Sequence, residues 1–369
     1  MNTKDMIKSL KRDIRLQSLE IKGYFSSRNV SEIPMADSID FVVTWVDGND
    51  PAWREEKMKY DPAYKKGSSD ARYREWNQFM YWFRAVEKYA PWVRYIHLIT
   101  WGHLPPWLNV NHPKLKIVNH KDYIPEKYLP TFSSIPIELN MFRIPDLSEH
   151  FVYFCDDFYI SRPLKPEDFF SGGLPKYLAI AQPTRNYRYN GPFAHQLFSN
   201  VGMINSLFDV CASIEKSPEK WFSKCYGRCR SYNKSAYKDT FLPGMIVTHL
   251  GVPYRKSTCE KVWNALEAEM DETCNHRFRT PLDLMHQLFS MWEIMEGTFS
   301  PVAADYYGKV FGHLSTQTDA VKRCFLSSEC RMICLNDSVD ITADNFAEVK
   351  ELLDAIFQET FPQKSTFEL

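Results

Sequence analysis

The stretch IDFVVTWVDGNDPAW, from Ile39 to Trp53, decides the fold class of this chain. Its first part, Ile39–Val46, is apolar on both faces, which is typical of a parallel strand that helices cover on both sides. The run breaks at Asp47-Gly48, which predicts a tight turn, and Asp50 predicts a helix cap with Pro51 at the first helical position. Because the free N–H groups of such a helix favour a phosphate, we expect a ligand crevice there.

Strands and helices alternate through the first half of the chain. The pattern predicts a helix over Arg72–Tyr89, strands over Val93–Thr100, Leu115–Val118 and Phe151–Cys155, and a loop with a short helix over Phe132–Phe142. Strands separated by helices imply parallel pairing through right-handed crossovers. We therefore predict an α/β, Rossmann-like fold in which helices flank a mainly parallel sheet.

The second half is less regular and more helical. Its predicted strands are Tyr177–Gln182, Met245–Leu250 and Arg331–Leu335, and its predicted helices are Glu260–Met270, Leu282–Met295 and Asn345–Phe361. The pattern divides the chain into an N-terminal helix with its linker (1–37) and a main domain (38–369) with two halves (38–176 and 177–369).

Composition excludes several classes of protein. Hydrophobic residues make up 44% of the 369 residues, enough for the large core of a globular domain. The net charge of −1 gives no electrostatic reason to expect nucleic-acid binding. Neither Cys225 and Cys229 nor the group Cys324, Cys330 and Cys334 has the C-x₂-C spacing of a zinc site, so we expect reduced thiols.

Residues 2–30 predict a basic amphipathic helix, followed by a linker over residues 31–37. The apolar residues near one side of this helix are Met6, Ile7, Leu10, Ile14, Leu16, Leu19 and Ile21. That side either packs on the main domain, which we favour, or lies on a membrane surface. The sequence has neither an apolar signal-peptide core nor ~18 unbroken apolar residues, so we predict a cytoplasmic protein.

Polar residues follow the predicted strands. The carboxyl ends of parallel strands meet at one edge of the sheet, where ligands bind in open α/β folds. These strand-end pairs are Asp47-Gly48, Trp101-Gly102, Asn119-His120, Asp156-Asp157 and Asn336-Asp337. Together they predict a polar site at that edge.

Asp156-Asp157 is the sharpest of these signals. Two adjacent carboxylates repel one another unless a cation or a solvated turn separates them. Oxygen ligands beside a diphosphate suit Mg²⁺ or Mn²⁺, whereas a solvated turn needs no ion. Asn336-Asp337 can supply further oxygens, although such a pair alone is more often an ordinary turn.

His249 and three arginines are further candidates. His249 lies in the predicted strand Met245–Leu250, where a histidine is either a hydrogen-bonded core residue or a catalytic group. Arg255, Arg277 and Arg279 can bind phosphate oxygens in a bidentate manner, although surface charge explains any single arginine equally well. The sequence has no P-loop, G-x-G-x-x-G or G-x-S-x-G motif, which argues against Walker-type NTPases and dinucleotide oxidoreductases.

Four blocks carry a family resemblance: IDFVVTWVDGNDP (Ile39–Pro51), the long segment Arg74–Asp157, the segment from His249 to RFRT (Arg277–Thr280), and CLND (Cys334–Asp337). They resemble the Stealth family, which includes bacterial capsular polysaccharide phosphotransferases and the eukaryotic N-acetylglucosamine-1-phosphotransferase. The resemblance implies transfer of a sugar 1-phosphate from UDP-N-acetylglucosamine or a related UDP-sugar to a hydroxyl of an acceptor oligo- or polysaccharide, with release of UMP. It also implies a glycosyltransferase-A-like nucleotide-sugar fold, with a nucleotide-binding half (38–176) and an acceptor half (177–369).

The resemblance also implies roles for single residues. Asp157 and His249 resemble the catalytic pair, with either one as the base, and Arg277 and Arg279 resemble phosphate clamps. The residues expected to hold Mg²⁺ or Mn²⁺ are Asp156, Asp157, Asn336 and Asp337. The residues expected to contact the substrate are Thr44, Trp45, Asp47, Gly48, Asn77 and Arg255. Peripheral contact with the membrane or with capsule assembly machinery would suit this role.

The sequence departs from the pattern of the Stealth family at two places, and two other functions compete with sugar-phosphate transfer. Many relatives have Asn where Cys155 precedes Asp156-Asp157, and many have Asp-Asn where Glu75-Trp76-Asn77 stands. Cysteine does not replace the donor and acceptor of an amide, so the substrate contacts nearest Cys155 are open. The rivals are a metal-dependent glycosyltransferase that releases UDP and a polysaccharide-binding protein without activity.

Overall fold

The computed structural model describes residues 3–27, 34–35, 37–61, 73–185, 192–303, 308–326, 330–337 and 340–369. Within these ranges the helices are α1 (Thr3–Ser26), α2 (Pro51–Tyr60), α3 (Phe79–Tyr89), α4 (Ser134–Leu139), α5 (Pro166–Phe169), α6 (Phe193–Leu207), α7 (Val210–Lys216), α8 (Pro218–Trp221), α9 (Arg230–Asp239), α10 (Lys256–Ala265), α11 (Glu267–Asn275), α12 (Gln287–Glu296), α13 (Leu314–Leu326) and α14 (Phe346–Thr360). The strands are β1 (Ile39–Thr44), β2 (Ile96–Thr100), β3 (Leu115–Asn119), β4 (His150–Cys155), β5 (Phe158–Ile160), β6 (Phe170–Ser171), β7 (Leu174–Tyr177), β8 (Val252–Arg255), β9 (Ser300–Pro301), β10 (Gly308–Phe311) and β11 (Met332–Leu335).

The central sheet has the strand order β3-β2-β1-β4-β8. Its first four strands are parallel, and β8 runs antiparallel to β4 at the edge. In this register Thr44 pairs with Ile99 on one side and Cys155 on the other, so the carboxyl ends of β1, β2 and β4 meet at one edge. The predicted mixed α/β architecture with a mostly parallel central sheet is confirmed.

A second sheet, in the order β10-β11-β5, adjoins that edge. Strand β11 pairs antiparallel with β5, and the Leu335 N–H at its end donates to the Asp157 carbonyl (2.9 Å). This bond brings Asn336-Asp337 beside Asp157. Strands β6, β7 and β9 form a third, small sheet near the amino-terminal end of β4, where the Gly173 carbonyl lies 2.9 Å from His150 Nε2. Strand β6 follows α5 directly.

Two predicted strands, Met245–Leu250 and Tyr177–Gln182, are wrong over most of their length. Tyr177 ends β7, and neither residues 178–182 nor residues 245–250 form a strand. The two segments do touch, because the Ile246 N–H donates to the Ile180 carbonyl (3.0 Å). However, the Ala181 N–H donates to the Asn233 side chain (2.7 Å) instead of to a neighbouring strand. Side-chain acceptors thus replace the ladder that the apolar pattern predicted.

Several predicted helix boundaries also differ. Helix α3 begins at Phe79, whereas the prediction began at Arg72, which lies outside the described residues. Asn77, two residues before Phe79, has φ of 54°, which an α-helix does not allow. The predicted helix Glu260–Met270 is divided between α10 and α11, and Leu282–Met295 starts only at Gln287. The division of the main domain into two halves stays a prediction.

Helix α1 packs on the main domain, as favoured from the sequence, but not through the apolar side predicted for that contact, because five of its seven residues (Met6, Ile7, Leu10, Ile14 and Ile21) are exposed. Leu16 is buried, and a Cβ at Gly23 would lie 2.2 Å from the Pro218 carbonyl oxygen, so only glycine allows this approach to α8. Arg12 donates to the Lys238 carbonyl of α9 (2.8 Å). Residues 2, 28–33 and 36 of the predicted helix and linker lie outside the described ranges.

The other face of α1 is apolar and exposed. Its large apolar side chains, 50% to 61% exposed, are Met6, Ile7, Leu10, Ile14, Ile21 and Phe25. Within the described ranges, no single helix is long and apolar enough to cross a membrane; α6 and α7 reach that length and composition together, with a bend of 78° between them.

Buried ion pairs hold the sheet and the C-terminal residues in place. Asp40 in β1 accepts hydrogen bonds from Arg94 (2.8 and 2.6 Å), His97 (3.0 Å) and the Ser148 N–H (2.9 Å). Burial alone would raise the pKa of Asp40, but these hydrogen bonds lower it to about 2.

The second of these pairs joins Arg84 in α3 to Glu368. The guanidinium donates to both carboxylate oxygens (2.7 Å each) and to the Phe361 carbonyl (2.8 Å). Since both side chains are buried, each charge depends on the other.

Candidate active site

The turns after β1 and β2 hold each other at the carboxyl-end edge. Thr100 Oγ1 donates to the His103 carbonyl (2.6 Å) across Gly102, whose φ is 141°. The His103 ring then accepts a hydrogen bond from the Asp47 N–H (2.8 Å), and the Asp47 carboxylate accepts from the Asn49 N–H (2.8 Å). Burial lowers the pKa of His103, which suits a neutral ring nitrogen that accepts. Sequence reasoning missed His103, although Trp101-Gly102 marked the turn.

Gly48 is required by a close approach of the backbone. A Cβ at Gly48 would lie 2.0 Å from the Tyr73 carbonyl oxygen. Two residues later Asp50 accepts a hydrogen bond from the Trp53 N–H (2.7 Å), and Pro51 occupies the first position of α2. The predicted turn and helix start are therefore confirmed.

Glu75 gathers the predicted substrate-binding residues Trp45 and Asn77. It accepts hydrogen bonds from the Trp45 indole (3.2 Å) and from the Asn77 N–H (2.6 Å). Burial raises the pKa of Glu75, the bond from Asn77 opposes this shift, and the charge of Asp47 adds to it. Asn77 itself is exposed.

Asp156 and Asp157 form the tight turn between β4 and β5. Burial raises the pKa of Asp156, and the charges of Asp157 and Glu75 raise it further. Burial also raises the pKa of Asp157, against the influence of His249 and of the Cys334 thiol. Three carboxyl groups therefore crowd into a desolvated region, which is the electrostatic condition that a bound cation relieves.

His249 reaches Asp157 from a separate segment. Cys334 Sγ lies between them: it donates to Asp157 Oδ2 (3.4 Å) and lies 3.7 Å from His249 Nδ1. The His249 ring meets the Phe158 ring edge-on, with centroids 4.9 Å apart. His249 is exposed and belongs to a bend, so it is not the core residue of an apolar strand.

The donor atoms at this point fit a divalent cation. Ligand atoms of Cys155, Asp157 and His249 all lie within 4.8 Å of one another. Asp157 Oδ1 is buried and makes no hydrogen bond within the described part of the chain. Mg²⁺ is usually held by one or two carboxylates together with substrate phosphates and waters, so Asp156 and Asp157 are ligands of the right kind, and a bound Mg²⁺ stays a prediction.

Asp337 has a cationic neighbour of its own. Its Oδ2 accepts from the Trp76 indole (3.1 Å) and lies 3.4 Å from Nε of Arg74, which also donates to the Ile341 carbonyl (3.1 Å). Asn336 is positioned by its N–H, which donates to the Phe311 carbonyl (2.9 Å). The metal-binding role of Asn336 and Asp337 stays a prediction.

The three candidate arginines lie in different surroundings. Arg279 and Arg277 are exposed: Arg279 donates to Ser134 Oγ (2.7 Å), and the Arg277 guanidinium lies 4.8 Å from the centre of the Tyr60 ring. Arg255 pairs with His150, at the end of β4 remote from Asp157.

The substrate-binding role predicted for Arg255 is therefore corrected. Its guanidinium lies 2.6 Å from a carboxylate oxygen of Glu293, which is fully buried. A structural ion pair explains Arg255, and its distant partner could not be identified from the sequence.

A buried hydrogen-bond network lies beneath the site, and sequence reasoning missed it. The Tyr153 hydroxyl lies 3.1 Å from Thr44 Oγ1 and donates to Glu138 Oε1 (3.1 Å). His286 Nε2 lies 3.8 Å from the other oxygen of Glu138, and its Nδ1 lies 2.6 Å from the Tyr254 hydroxyl. The one sequence signal was a single acid in the otherwise apolar helix α4.

Comparison with known proteins places this site in a family. Models of Stealth proteins match conserved region 1 over residues 37–65, region 2 over residues 72–177 and region 4 over residues 325–369. The capsular polysaccharide phosphotransferase WcwK of Streptococcus pneumoniae is 41% identical over 347 residues, which cover 90% of this chain and 100% of that protein. The chain belongs to the Stealth family.

Two further Stealth relatives are similar over most of their length. The receptor polysaccharide phosphotransferase WefC of Streptococcus gordonii is 39% identical over 341 residues, covering 91% of this chain and 100% of WefC. The exopolysaccharide phosphotransferase cps2G of Lactiplantibacillus plantarum is 34% identical over 333 residues, covering 89% of this chain and 96% of that protein. The matched Stealth regions contain Asp47, Asp156-Asp157 and Asn336-Asp337, whereas His249 and Arg277–Arg279 lie between regions 2 and 4.

Proposed function

We propose that this Stealth protein is a phosphotransferase of polysaccharide synthesis that moves a sugar 1-phosphate from a UDP-sugar to a hydroxyl of an acceptor sugar. The transferred group is an N-acetylhexosamine 1-phosphate, UMP leaves, and the product is a phosphodiester in a capsular or cell-surface polysaccharide. The observation that carries this proposal is the meeting of Asp157 and His249, through Cys334, at the carboxyl-end edge of the sheet. The names of three relatives, each a polysaccharide phosphotransferase, support the reaction class.

The donor binds along this edge, in the manner of a glycosyltransferase-A-like nucleotide-sugar fold. Thr44, Trp45, Asp47 and Gly48 line the nucleotide, because they form the end of β1 and the turn that follows it. Asn77, exposed beside Glu75, lies next to Trp45 and completes this wall.

The proposed cofactor is Mg²⁺ or Mn²⁺. Asp156 and Asp157 would hold it, and Asn336 and Asp337 follow Leu335, whose N–H is bonded to the Asp157 carbonyl. When bound, the ion neutralises charge on the diphosphate and the leaving UMP. Arg277 and Arg279, both exposed, add positive charge that bidentate contacts with phosphate oxygens can use.

The chemical step is an in-line displacement at phosphorus. His249 or Asp157 accepts the proton of the acceptor hydroxyl, the hydroxyl oxygen attacks the β-phosphorus, and the bond between that phosphorus and the oxygen of UMP breaks. The exposure of His249 gives an incoming acceptor direct access to its ring. Positioning and charge neutralisation account for most of the acceleration.

The test identifies the nucleotide that is released. The purified protein is incubated with UDP-N-acetylhexosamines, Mg²⁺ and capsule oligosaccharides, and nucleotides and products are separated and analysed by ³¹P NMR. UMP together with a phosphodiester product is expected. UDP with a phosphorus-free product would identify a metal-dependent glycosyltransferase, and oligosaccharide binding without turnover of any donor would identify a binding protein.

The exposed face of α1 is a peripheral membrane contact in this proposal, at the cytoplasmic surface of the membrane. At about 100° per residue, Met6, Leu10, Ile14 and Ile21 fall within one stripe about 100° wide. Lys11 and Lys22, both exposed, follow on one border of that stripe. An apolar stripe bordered by lysines suits an anionic lipid surface, which receives the apolar side chains and attracts the ammonium groups.

Vesicle sedimentation tests this contact. The protein should sediment with vesicles that contain phosphatidylglycerol, and Ile14→Glu should reduce the bound fraction several-fold. Leu352→Glu, a matched change at an exposed leucine of α14, should leave it unchanged. If Ile14→Glu instead dissociates a dimer and vesicle binding is unaffected, the stripe binds a second copy of the chain.

A further inference from the structure

Four side chains with metal-binding atoms converge where the ends of β4 and β11 meet the bend at His249. Cys334 Sγ lies 3.4 Å from Asp157 Oδ2 and 3.7 Å from His249 Nδ1. Cys155 Sγ lies within 4.8 Å of ligand atoms of Asp157 and His249, in a cluster of three that does not itself include Cys334. In a tetrahedral zinc site the usual metal–ligand bond lengths place neighbouring sulfur and nitrogen or oxygen ligands about 3.5 Å apart. Cys334 Sγ therefore already stands at that spacing from Asp157 Oδ2 and from His249 Nδ1.

The chemistry of these donors differs from that of a magnesium site. Mg²⁺ takes oxygen ligands, whereas thiolate sulfur and imidazole nitrogen favour Zn²⁺ and related ions. Asp157 can serve either kind of ion, because its Oδ1 is buried and makes no hydrogen bond within the described residues. The two thiols are free cysteines.

We propose that Cys155, Cys334, Asp157 and His249 form a binding site for Zn²⁺ or a similarly thiophilic divalent cation, and that this ion inhibits the enzyme. Binding releases the thiol protons to solvent as the sulfurs become ligands. The coordinated His249 nitrogen then has no lone pair for the acceptor proton, and Asp157 is withdrawn from the donor's own cation. The inhibition rests on the proposed function, whereas the binding does not.

Cobalt spectroscopy of the full chain tests the binding without any substrate. Co²⁺ is titrated into protein kept reduced with a phosphine. A sulfur-to-cobalt charge-transfer band in the near ultraviolet and strong tetrahedral bands in the visible are expected, and Zn²⁺ should displace both. Cys155→Ser should weaken Co²⁺ binding at least about tenfold, because even partners outside the ligand shell contribute that much to metal affinity. Cys229→Ser, the same change at a half-buried cysteine of the 3₁₀ segment Lys224–Cys229, should leave the spectrum unchanged.

The spectra also contain the outcomes that overturn the proposal. Weak octahedral bands without charge transfer would mean that no thiolate binds the ion. A charge-transfer band that persists in Cys155→Ser and disappears in Cys229→Ser would place the ion elsewhere. Cys334→Ser provides a second variant, and its thermal unfolding without metal shows whether a lost band reflects a lost ligand or a lost fold.

Turnover measurements separate this proposal from the proposed function. If the band is present, substoichiometric chelation should restore UMP release that Zn²⁺ has suppressed. A band present with turnover indifferent to Zn²⁺ would overturn the inhibitory part. A chain that binds Co²⁺ as expected and transfers no sugar phosphate would refute the proposed function and leave the metal site standing.

Discussion

Substitution of His249 by glutamine separates a catalytic histidine from a structural one. The side chain is exposed, and its contacts include the Phe158 ring, with ring centroids 4.9 Å apart, and Cys334 Sγ at 3.7 Å. Loss of such contacts should change the free energy of unfolding by less than about 0.5 kcal/mol. Loss of a group that accepts a proton should lower kcat by roughly 10²–10⁴. At about 1.4 kcal/mol per tenfold, the activation barrier rises by about 3–5 kcal/mol while the fold is unaffected.

The assay compares UMP release with denaturant unfolding for the same preparations. His112→Gln is the matched control: its ring lies 3.7 Å from the Phe367 ring and contacts Thr366, before the start of β3 and away from the carboxyl-end edge. We expect His112→Gln to lose stability and to keep its turnover per folded molecule. His249→Gln should show the reverse pattern and still bind UDP-sugar.

One result would refute the reasoning. A folded His249→Gln protein that releases UMP within about threefold of the parent rate cannot have lost its proton acceptor. Asp157 would then be the remaining base, and the exposure of His249 would have no catalytic meaning.

Three further predictions concern Asp157, Asp40 and Arg84. Exhaustive EDTA treatment should abolish turnover and Mg²⁺ should restore it; full turnover without metal would exclude the cofactor. Asp157→Asn should cost several kcal/mol of transition-state stabilisation, at about 1.4 kcal/mol per tenfold in rate, and excess Mg²⁺ should not restore the lost rate. Asp40, whose pKa falls from 3.8 to about 2 on folding, should stabilise the protein by about 2 kcal/mol above pH 4 and lose this contribution as the pH falls toward 2, so the acid limb of a stability–pH curve should flatten in Asp40→Asn. Arg84→Met should lower the free energy of unfolding by about 3–5 kcal/mol, because it leaves the Glu368 carboxylate buried without its partner, and Arg84→Met/Glu368→Gln should recover part of this loss in a double-mutant cycle.

The elements that the sequence predicted well are those whose pattern is local. Ile39–Val46 is apolar apart from Asp40 and Thr44, Phe151–Cys155 is apolar throughout, and the two segments form buried strands of the central sheet. Asp50 and Pro51 start α2 as predicted, since a helix cap needs only neighbouring residues. Met245–Leu250 has a strand pattern too, but no ladder forms there. Its Ile246 N–H donates to the Ile180 carbonyl, whereas the neighbouring Ala181 N–H donates to the Asn233 side chain.

In the candidate site, too, local patterns were predictable from the sequence and contacts between distant elements were not. The strand-end rule correctly placed Asp47 and Asp157 at one edge of the sheet, because parallel strands bring their carboxyl ends to the same edge. Arg255 failed because its partner Glu293 lies on a different element, a contact that neither residue type nor spacing reveals. The position of Cys334 between Asp157 and His249 depends on the antiparallel pairing of β11 with β5, which the sequence did not predict.

The buried pair of Arg84 and Glu368 also limits when α3 can finish packing during synthesis on the ribosome. The two residues are 284 positions apart in the sequence. At about 5–20 residues per second, translation needs roughly 15–60 s to deliver the carboxylate after the guanidinium has emerged. During that interval α3 cannot bury Arg84 without stranding a charge, so the face of the helix that receives it stays open. The face of α3 that carries Arg84 is thus completed only after Glu368 has been made, so a chain that ends before that residue keeps Arg84 without its buried partner.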